Sequence, residues 1–471
     1  MVSKQLFINK SYLISSGVLI FFLILFFFKP QNLSSEGILV SGLLFLMAFW
    51  WLTNTIPLSI TALLPLIIIP VFSDINISDV ARPYASPIIF LLLGGFVIGL
   101  GLQKSNLHRR FAILVLMKIG YQKKSILIGF ILVTAFLSMW LSNTATCLLM
   151  LPIALSILGK FENDFSFKRY FLLFIAYSSS IGGMATLIGT APNAIFAGYI
   201  NENLGIEITF LDWFLFSLPL VLILLSILIL MIFFLVKNNN DKNVSPSIFY
   251  DEYKKLGKFN LGQKVTLLII TLTIFFWIFK DIINNFLNIK LTDASIALLG
   301  ACLFFVIPIK KVNFILNRNW HKSIPWNILI LFGGGLSLAN LVTSSGLASW
   351  ISSYFYFLNS FNIFFIIFTI AIFISFMTEV TSNTATTLLF LPLLVLFADN
   401  NGYDILQLSL PITLAASCAF MMPIATPPNA IVFSTNEFNI SFMASRGFIL
   451  NIIAVTLSSV WIFFFSSIIG K

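Results

Sequence analysis

The stretch LSNTATCLLMLP, residues 141–152, carries a Ser-Asn-Thr triplet between two long apolar runs. The same triplet returns 240 residues later in TSNTATTLLFLP, residues 381–392. Unpaired hydroxyls and amides are costly in the hydrocarbon interior of a bilayer, where irregular backbone survives only inside protein or beside a wet cavity. Two copies of one polar triplet in such surroundings therefore predict a binding site to which both contribute.

Composition assigns the chain to the membrane proteins. Of its 471 residues, 59% are hydrophobic and 9% are charged, whereas soluble domains contain about 45–50% apolar and about 25% charged residues. The net charge of +10 predicts no nucleic-acid partner, because membrane proteins concentrate Lys and Arg on their cytoplasmic side. We expect an integral protein of the plasma (inner) membrane of a bacterium, surrounded by the lipid bilayer.

Segment lengths predict an all-α polytopic membrane protein, since a spanning helix needs about 17–25 apolar residues. Nine segments meet this length: 12–28, 37–53, 56–72, 87–103, 212–236, 264–280, 294–309, 326–342 and 447–468. Segments 170–200 and 405–435 are each interrupted by a cluster of Thr, Pro and Asn, which brings the expected number of transmembrane helices to about 11. Segments 125–158 and 363–397 hold the triplets at mid-length and are predicted to be two re-entrant hairpins.

The distribution of charge predicts the orientation in the membrane. With a cytoplasmic N-terminus and two hairpins that return to their side of entry, 22 of the 27 basic residues lie on the cytoplasmic side. The five left outside are Lys29, Arg82, Lys280, Lys290 and Lys471. This is the bias that membrane proteins show. The hydrophilic stretch Lys237–Lys264 is accordingly predicted to be cytoplasmic and the C-terminus external.

The chain consists of two halves of one unit. Besides the triplets, IGTAPNAI at 188–195 matches IATPPNAI at 424–431, and LLLGGF at 91–96 aligns with LFGGGL at 331–336. Basic residues flank the first hairpin and acidic residues follow the second, so the halves are predicted to be inverted-topology repeats with a binding site between them. The predicted organisation is an N-terminal segment with the first transmembrane helix (1–36), a first repeat (37–236), a cytoplasmic linker (237–263) and a second repeat (264–471).

The triplets also indicate what is bound, as do the two breaks, by which we mean the clusters of Thr, Pro and Asn that interrupt segments 170–200 and 405–435. Their hydroxyl and amide oxygens, with the carbonyls freed beside Pro192, Pro427 and Pro428, suit a small hard cation such as Na⁺. Their O–H and N–H groups, with the free N–H groups of the half-helix that follows, suit an anion. The central layer of these segments contains no Lys or Arg, and a helix N-terminus supplies only about half a positive charge. Bound Na⁺ must supply the rest, so cation and anion binding depend on each other.

Packing is the alternative explanation for isolated polar or small residues in a membrane. A doubled triplet paired with a doubled break favours a binding site over packing. For Gly94, Gly95 and the glycines at 333–335, close helix contact is the better interpretation. Glu379 beside the second triplet is either a proton-sensing or cation-attracting group or a hydrogen-bonded structural acid.

Functions of other classes are not supported. A channel needs a continuous polar pore, whereas these polar residues form one layer, and a membrane enzyme needs a catalytic pair that the apolar segments lack. Cys147, Cys302 and Cys418 match no metal motif and are interpreted as small core residues. We therefore expect neither enzymatic activity nor an organic cofactor.

Four features together resemble the divalent-anion/sodium symporter family. They are the doubled SNTAT, the GTAPNAI and ATPPNAI pair, WWLTNTIPLSITALLPL at 50–66 and FLLLGGFVIGLGLQKSNLHRR at 90–110. The resemblance covers almost the whole chain, and members of that family carry dicarboxylates, citrate or sulfate. It implies a homodimer in which each protomer has a scaffold domain and a transport domain. The transport domain carries both hairpins and moves as an elevator.

The resemblance also assigns site residues, position by position. One Na⁺ would be bound by Ser138, Ser142, Asn143 and the carbonyl of Gly189. A second Na⁺ would be bound by Thr378, Ser382, Asn383 and the carbonyl of Ala425. The substrate carboxylates would meet Asn143, Thr144, Asn383 and Thr384. The family commonly has Glu where this chain has Asn54, a position expected to lie outside the site.

These observations predict a Na⁺-coupled secondary transporter of a small dianion, above all a C4-dicarboxylate such as succinate, malate or fumarate. A sulfate carrier is the closest alternative, and a dicarboxylate exchanger without net Na⁺ flux is the next. The exact substrate, the Na⁺ stoichiometry and the choice between symport and exchange stay open.

Overall fold

The computed structural model describes residues 2–159, 161, 164–236, 247–310, 313–354 and 360–469, with residues 2–9, 247 and 248 described by their backbone alone. Within these ranges the secondary structure is helical apart from an isolated β-bridge between Lys310 and Asn313. Residues 237–246 of the predicted linker and the C-terminal Lys471 lie outside the described residues.

The first half of the chain forms twelve α-helices within the described ranges. They are α1 (Val2–Phe27), α2 (Ser35–Thr53), α3 (Leu58–Thr61), α4 (Leu64–Phe72), α5 (Ile77–Ala81), α6 (Pro87–Lys104), α7 (Leu107–Ile119), α8 (Lys123–Ser138), α9 (Asn143–Leu158), α10 (Phe165–Gly183), α11 (Ala191–Leu204) and α12 (Phe210–Leu235). The linker contributes α13 (Ser247–Lys255).

The second half follows the same order of long and interrupted helices. Its α-helices are α14 (Leu261–Leu287), α15 (Asp293–Val306), α16 (Trp326–Ser344), α17 (Leu347–Ser353), α18 (Ile363–Thr378), α19 (Asn383–Asn400), α20 (Ile405–Ala416), α21 (Pro427–Phe433) and α22 (Ile440–Phe465).

Helix length and composition confirm the prediction of a polytopic all-α membrane protein. Among the described residues, eight helical stretches are long and apolar enough to cross a bilayer. They are Lys10–Phe27, Ser35–Thr53, Ile77–Lys104, Phe210–Leu235, Leu261–Leu287, Trp326–Ser344, Asn383–Asn400 and Ile440–Ile468. Other predicted segments form shorter apolar helices, among them Asn143–Leu158, Asp293–Val306, Ile363–Thr378 and Ile405–Ala416.

The predicted span 56–72 is not one helix. It consists of α3 and α4, separated by Ala62 and Leu63. Pro57 precedes α3 and Pro65 lies in the first turn of α4. Proline lacks a backbone N–H and favours the start of a helix over its interior, so this run is divided although it is apolar throughout.

Both triplets lie at sharp turns between two helices. The α8 helix ends at Ser138 and α9 begins at Asn143, while α18 ends at Thr378 and α19 begins at Asn383. The two helices of each hairpin pack against each other. Both Pro-Asn clusters likewise interrupt helices, since α10 is separated from α11 by residues 184–190 and α20 from α21 by residues 417–426.

The glycine runs allow close helix contact, which confirms their interpretation. A Cβ on Gly94 of α6 would lie 2.6 Å from the Cβ of Ala297 in α15. A Cβ on Gly334 of α16 would lie 2.0 Å from the carbonyl oxygen of Ala62, just after α3. Both distances are shorter than those found between non-bonded atoms. A residue with a side chain at either position would therefore keep the two elements further apart.

The cysteines are free, as expected, but one of them is not in the core. Cys147 and Cys418 are buried, whereas Cys302 on α15 is exposed. The prediction is wrong for Cys302 because a helix that faces lipid is apolar on its outer surface too. An apolar segment in a membrane protein therefore does not by itself predict burial.

Candidate functional site

A cavity of about 370 Å³ lies where the two triplets and the two breaks meet. Its wall contains both complete triplets: Ser142, Asn143, Thr144, Ser382, Asn383 and Thr384. It also contains residues of both breaks: Gly189, Thr190, Ala191, Pro192, Ile424, Ala425, Thr426, Pro427 and Pro428. The structure thus brings four interrupted elements together in one site, as their composition predicts.

The cavity wall contains polar side chains but no formal charge. Among the described residues that line it, there is no Lys, Arg, His, Asp or Glu. The α9, α11 and α19 helices begin at its wall, and each helix N-terminus presents unpaired N–H groups with about half a positive charge. Neutral oxygens and N–H groups therefore supply the whole electrostatic environment, a combination that suits an anion accompanied by small cations.

Oxygen atoms converge behind the first triplet. The side-chain oxygen of Asn143 lies 2.8 Å from Ser138 Oγ, 3.1 Å from the Ser179 carbonyl oxygen and 3.3 Å from the Gly189 carbonyl oxygen. A carbonyl oxygen cannot donate, so two arrangements satisfy this cluster. Either the amide is turned over and its nitrogen donates to these oxygens, or a cation binds among them.

Ser179 of α10 belongs to this cluster, although the sequence does not single it out. The Ser138 hydroxyl donates to the Ser179 carbonyl at 2.7 Å, and the Ser179 hydroxyl donates to the Asn143 carbonyl at 2.8 Å. The triple serine run at 178–180 inside an apolar helix is the signal that could have indicated it. These bonds attach the first hairpin to α10.

The second triplet is surrounded in the same way. The Thr378 hydroxyl donates to Asn383 Oδ1 at 2.5 Å and approaches the carbonyl oxygen of Ala416 at 3.3 Å. Ser138 and Thr378 are both fully buried, and each bonds to the asparagine five residues later. The two hairpins therefore present the same local geometry, with Ser138 and Thr378 behind the cavity and the triplets on its wall.

Two small residues let α10 approach the first hairpin. A Cβ on Gly183 would lie 2.2 Å from Asn143 Oδ1, and a Cβ on Gly182 would lie 2.3 Å from the carbonyl oxygen of Ala135. The predicted binding asparagine thus occupies space that any side chain at position 183 would fill. Glycine is required here by close approach, since both residues lie in an ordinary helical stretch.

Asn54 lines the cavity together with Trp51, Leu52 and Leu58, so the expectation that it lies outside the site is wrong. It ends α2 in a left-handed conformation with φ of 48°, after which the chain turns through Pro57 into α3. Treating 37–53 and 56–72 as two complete spans placed this turn at a membrane surface. Because α3 is a short fragment, the turn lies at the cavity wall instead, where Asn54 is exposed.

Glu379 is buried, with 3% of its surface exposed. Its carboxylate accepts the backbone N–H groups of Met421 at 2.9 Å and Met422 at 2.8 Å, and the side-chain amide of Asn451 at 2.7 Å. Three donors to one carboxylate favour the interpretation of a hydrogen-bonded structural acid. This acid supports the middle of the break between α20 and α21.

Comparison with known proteins agrees with this geometry. The chain matches the family described as "Sodium:sulfate symporter transmembrane region" over residues 9–470. It is similar to the "Sodium-dependent dicarboxylate transporter SdcS" of Staphylococcus saprophyticus, with 36% identity over 479 residues that cover 97% of this chain and 92% of that protein. Proteins of the same name from two Staphylococcus aureus strains are 38% and 37% identical over 458 residues, covering 94% of this chain and 88% of theirs.

Proposed function

Because the chain belongs to the family of the sodium:sulfate symporter transmembrane region, we propose that it is a secondary active transporter that moves a small dianion across the membrane together with Na⁺. The substrate is a C4-dicarboxylate such as succinate, malate or fumarate. The names of its relatives support a sodium-dependent dicarboxylate transporter. The structural observation that carries the proposal is the uncharged cavity on which two Ser-Asn-Thr triplets converge.

Two Na⁺ sites accompany the substrate in this proposal. The first comprises Ser138, Ser142, Asn143 and the Gly189 carbonyl, and the oxygens that cluster around Asn143 Oδ1 support it. The second comprises Thr378, Ser382, Asn383 and the Ala425 carbonyl. It is supported by the matching approach of Thr378 to Asn383. Neutral hydroxyl and carbonyl oxygens are ligands that suit a hard cation.

The substrate meets the side of each triplet that faces the cavity. Asn143 and Thr144 bind one carboxylate, and Asn383 and Thr384 bind the other. The N–H groups at the start of α9 and α19 reinforce both, because each helix begins at the asparagine of its triplet. Two equivalent sets of donors suit a dianion with two separate carboxylates better than a compact one such as sulfate.

Carrying the substrate across the membrane requires a transport domain that moves against a scaffold domain. The packing of the helices supports such a division. The hairpin helices α8 and α9 pack on α10, and α18 and α19 pack on α20, while α10 and α9 contact α21. Elsewhere α1 packs on α2, α6 on α15, and α16 on α2 and α3, and the two groups meet where α16 packs on α19. We assign the first group to an elevator-like transport domain and the second to a scaffold, in two inverted repeats. The family resemblance adds a homodimer to this proposal.

Uptake by purified protein in proteoliposomes tests the function. We expect accumulation of radiolabelled succinate under an inward Na⁺ gradient and none when K⁺ replaces Na⁺. Unlabelled succinate, citrate and sulfate are then compared as competitors. Uptake that needs only internal succinate, with no Na⁺, would identify an exchanger and overturn the cation coupling.

A further inference from the structure

An asparagine occupies the third position of the helix that follows each break. Asn193 lies in α11 and Asn429 lies in α21, and both are fully buried. The side-chain nitrogen of Asn193 lies 2.8 Å from the carbonyl oxygen of Thr186 and 3.2 Å from those of Gly183 and Met184. All three carbonyls belong to the end of α10 and the break that follows it.

The second half repeats this arrangement in the same register. The side-chain nitrogen of Asn429 lies 3.1 Å from the carbonyl oxygen of Ala419 and 3.0 Å from that of Met422. Ala419 lies 10 residues before Asn429, as Gly183 lies 10 residues before Asn193. Met422 and Thr186 each lie 7 residues before the asparagine of their half. Two breaks of different sequence therefore share two equivalent bonds, which a coincidence of packing does not explain.

The shared acceptor connects each asparagine to a proposed cation ligand. The Thr186 carbonyl also accepts the backbone N–H of Gly189 at 3.3 Å, and the Met422 carbonyl accepts that of Ala425 at 3.2 Å. Gly189 and Ala425 are the residues whose carbonyls we place at the two Na⁺ sites. Each asparagine thus closes the turn that carries one of these carbonyls.

The chemistry of the side chain fits this role. Ending α10 and α20 deprives carbonyl groups of their helical N–H partners, and the membrane interior offers no water to replace them. A buried primary amide supplies two donors on a short side chain. Within the described part of the chain, the side-chain oxygens of Asn193 and Asn429 have no hydrogen-bond partner, so the donor end of each amide is the one in use.

We propose that Asn193 and Asn429 are positioning residues for the two cation sites, holding the Gly189 and Ala425 carbonyls toward the hairpin triplets. Neither asparagine touches Na⁺ or substrate in this scheme. The inference rests on the proposed Na⁺-coupled transport and adds to it a pair of equivalent clamps, one in each half.

Alanine variants test the clamps with two readouts. For Asn193→Ala and Asn429→Ala, the Na⁺ concentration for half-maximal succinate uptake should rise at least about fivefold, while the succinate KM at saturating Na⁺ stays within about twofold of wild type. The Na⁺ concentration that gives half of the full thermal stabilisation, measured without succinate, should rise in parallel. A merely structural role would lower thermal stability in Na⁺-free buffer and leave both half-saturation values unchanged.

Asn203→Ala is the matched control, because this amide on α11 donates to the Tyr199 carbonyl at 3.1 Å, away from the break. It should leave both Na⁺ half-saturation values unchanged. If the alanine variants do not fold, Asn193→Leu and Asn429→Leu keep the approximate shape of the side chain without a donor or a charge and carry the same test.

Folded variants with wild-type Na⁺ half-saturation would overturn the clamps while the proposed function stands. A wild-type protein whose uptake ignores Na⁺ would overturn the proposed function itself.

Discussion

The side chains of Glu379 and Asn451 meet with 2.7 Å between Oε1 and Nδ2, and together they bind three successive backbone N–H groups. Asn451 Oδ1 accepts the N–H of Phe420 at 3.1 Å, and the two carboxylate oxygens accept those of Met421 and Met422. The residue 240 positions earlier is Met139, so the first half has no acid in the corresponding place. Within the described ranges, this pair belongs to the second break and has no acidic counterpart at the first.

Replacing Glu379 distinguishes a hydrogen-bonded structural role from a role in attracting cations. In Glu379→Gln one oxygen becomes an N–H donor that faces a backbone donor, and an unpaired buried group costs about 1–3 kcal/mol. We expect lower thermal stability in Na⁺-free buffer, measured by the unfolding temperature of the purified protein. Glu36→Gln, at an exposed position, should change nothing. Unchanged stability with a higher Na⁺ half-saturation would instead show that the carboxylate serves to attract cations.

The triplet asparagines should each affect both ligands. Asn143→Ala and Asn383→Ala are expected to raise the Na⁺ concentration for half-maximal transport and to weaken succinate binding. Each amide serves cation and anion, and binding linkage is reciprocal. Uptake at varied Na⁺ and succinate measures both effects. A variant that binds succinate normally and keeps its Na⁺ dependence would show that the site assignment for its hairpin is wrong.

The contact between Gly183 and Asn143 predicts a steric effect. In Gly183→Ala the new methyl group would lie 2.2 Å from Asn143 Oδ1, so the asparagine must move away from its oxygen cluster. We expect uptake at subsaturating Na⁺ to fall at least about tenfold, equivalent to about 1.4 kcal/mol. Gly159→Ala at the end of α9 is the control, since its nearest contacts lie at 3.7 and 3.8 Å. Equal activity of the two variants would contradict the close approach.

The two sets of donors predict how competitors rank. A monocarboxylate leaves one set without its partner, and unpaired buried donors cost about 1–3 kcal/mol each. Butyrate should therefore compete with labelled succinate at least about tenfold more weakly than succinate itself, about 1.4 kcal/mol. Sulfate, which is too short to reach both triplets, should also compete poorly. Sulfate as effective as succinate would favour the sulfate-carrier alternative.

Charge distribution predicts which surfaces face the cytoplasm. In a cysteine-free background, Lys258→Cys after α13 should be labelled by an impermeant maleimide only in inverted vesicles. Lys290→Cys, between α14 and α15, should be labelled in intact cells. Both positions are exposed in the structure. The opposite pattern would reverse the orientation, because basic residues accumulate on the cytoplasmic side.

The polar layer could be predicted from the sequence because its residues are repeated and stand out in apolar surroundings. This prediction requires no knowledge of which residues on other helices contact Ser142, Asn143, Ser382 and Asn383. The triple serine run at 178–180 indicates that Ser179 is unusual in an apolar helix, but it does not assign a role, because that role depends on Ser138, which is 41 residues away in the chain. Contacts of this kind depend on how helices pack, and the pattern within one helix does not contain them.

Asn54 was missed for a different reason. A run of apolar residues predicts that a segment lies in the membrane, but it does not show where the helix inside that run stops. The division of 56–72 into α3 and α4 moved the end of α2 from an expected surface to the cavity wall. Prolines at 57 and 65 were the available signal, and their positions at helix starts are clear only once the helices are seen.

The two halves differ in the number of residues between the asparagine of the triplet and the buried asparagine that follows the break. Both α10 and α20 begin 22 residues after the asparagine of their triplet. The segment from the start of α20 to Asn429 is four residues shorter than the segment from the start of α10 to Asn193. This net difference arises because α20, with 12 residues, is shorter than α10, with 19 residues, by close to two helical turns of about 3.6 residues, while the break that follows α20 is longer. Removing a whole turn returns the helix to nearly the same face, whereas removing two residues would rotate the break away from its hairpin, so length changes in this region should be tolerated in whole turns.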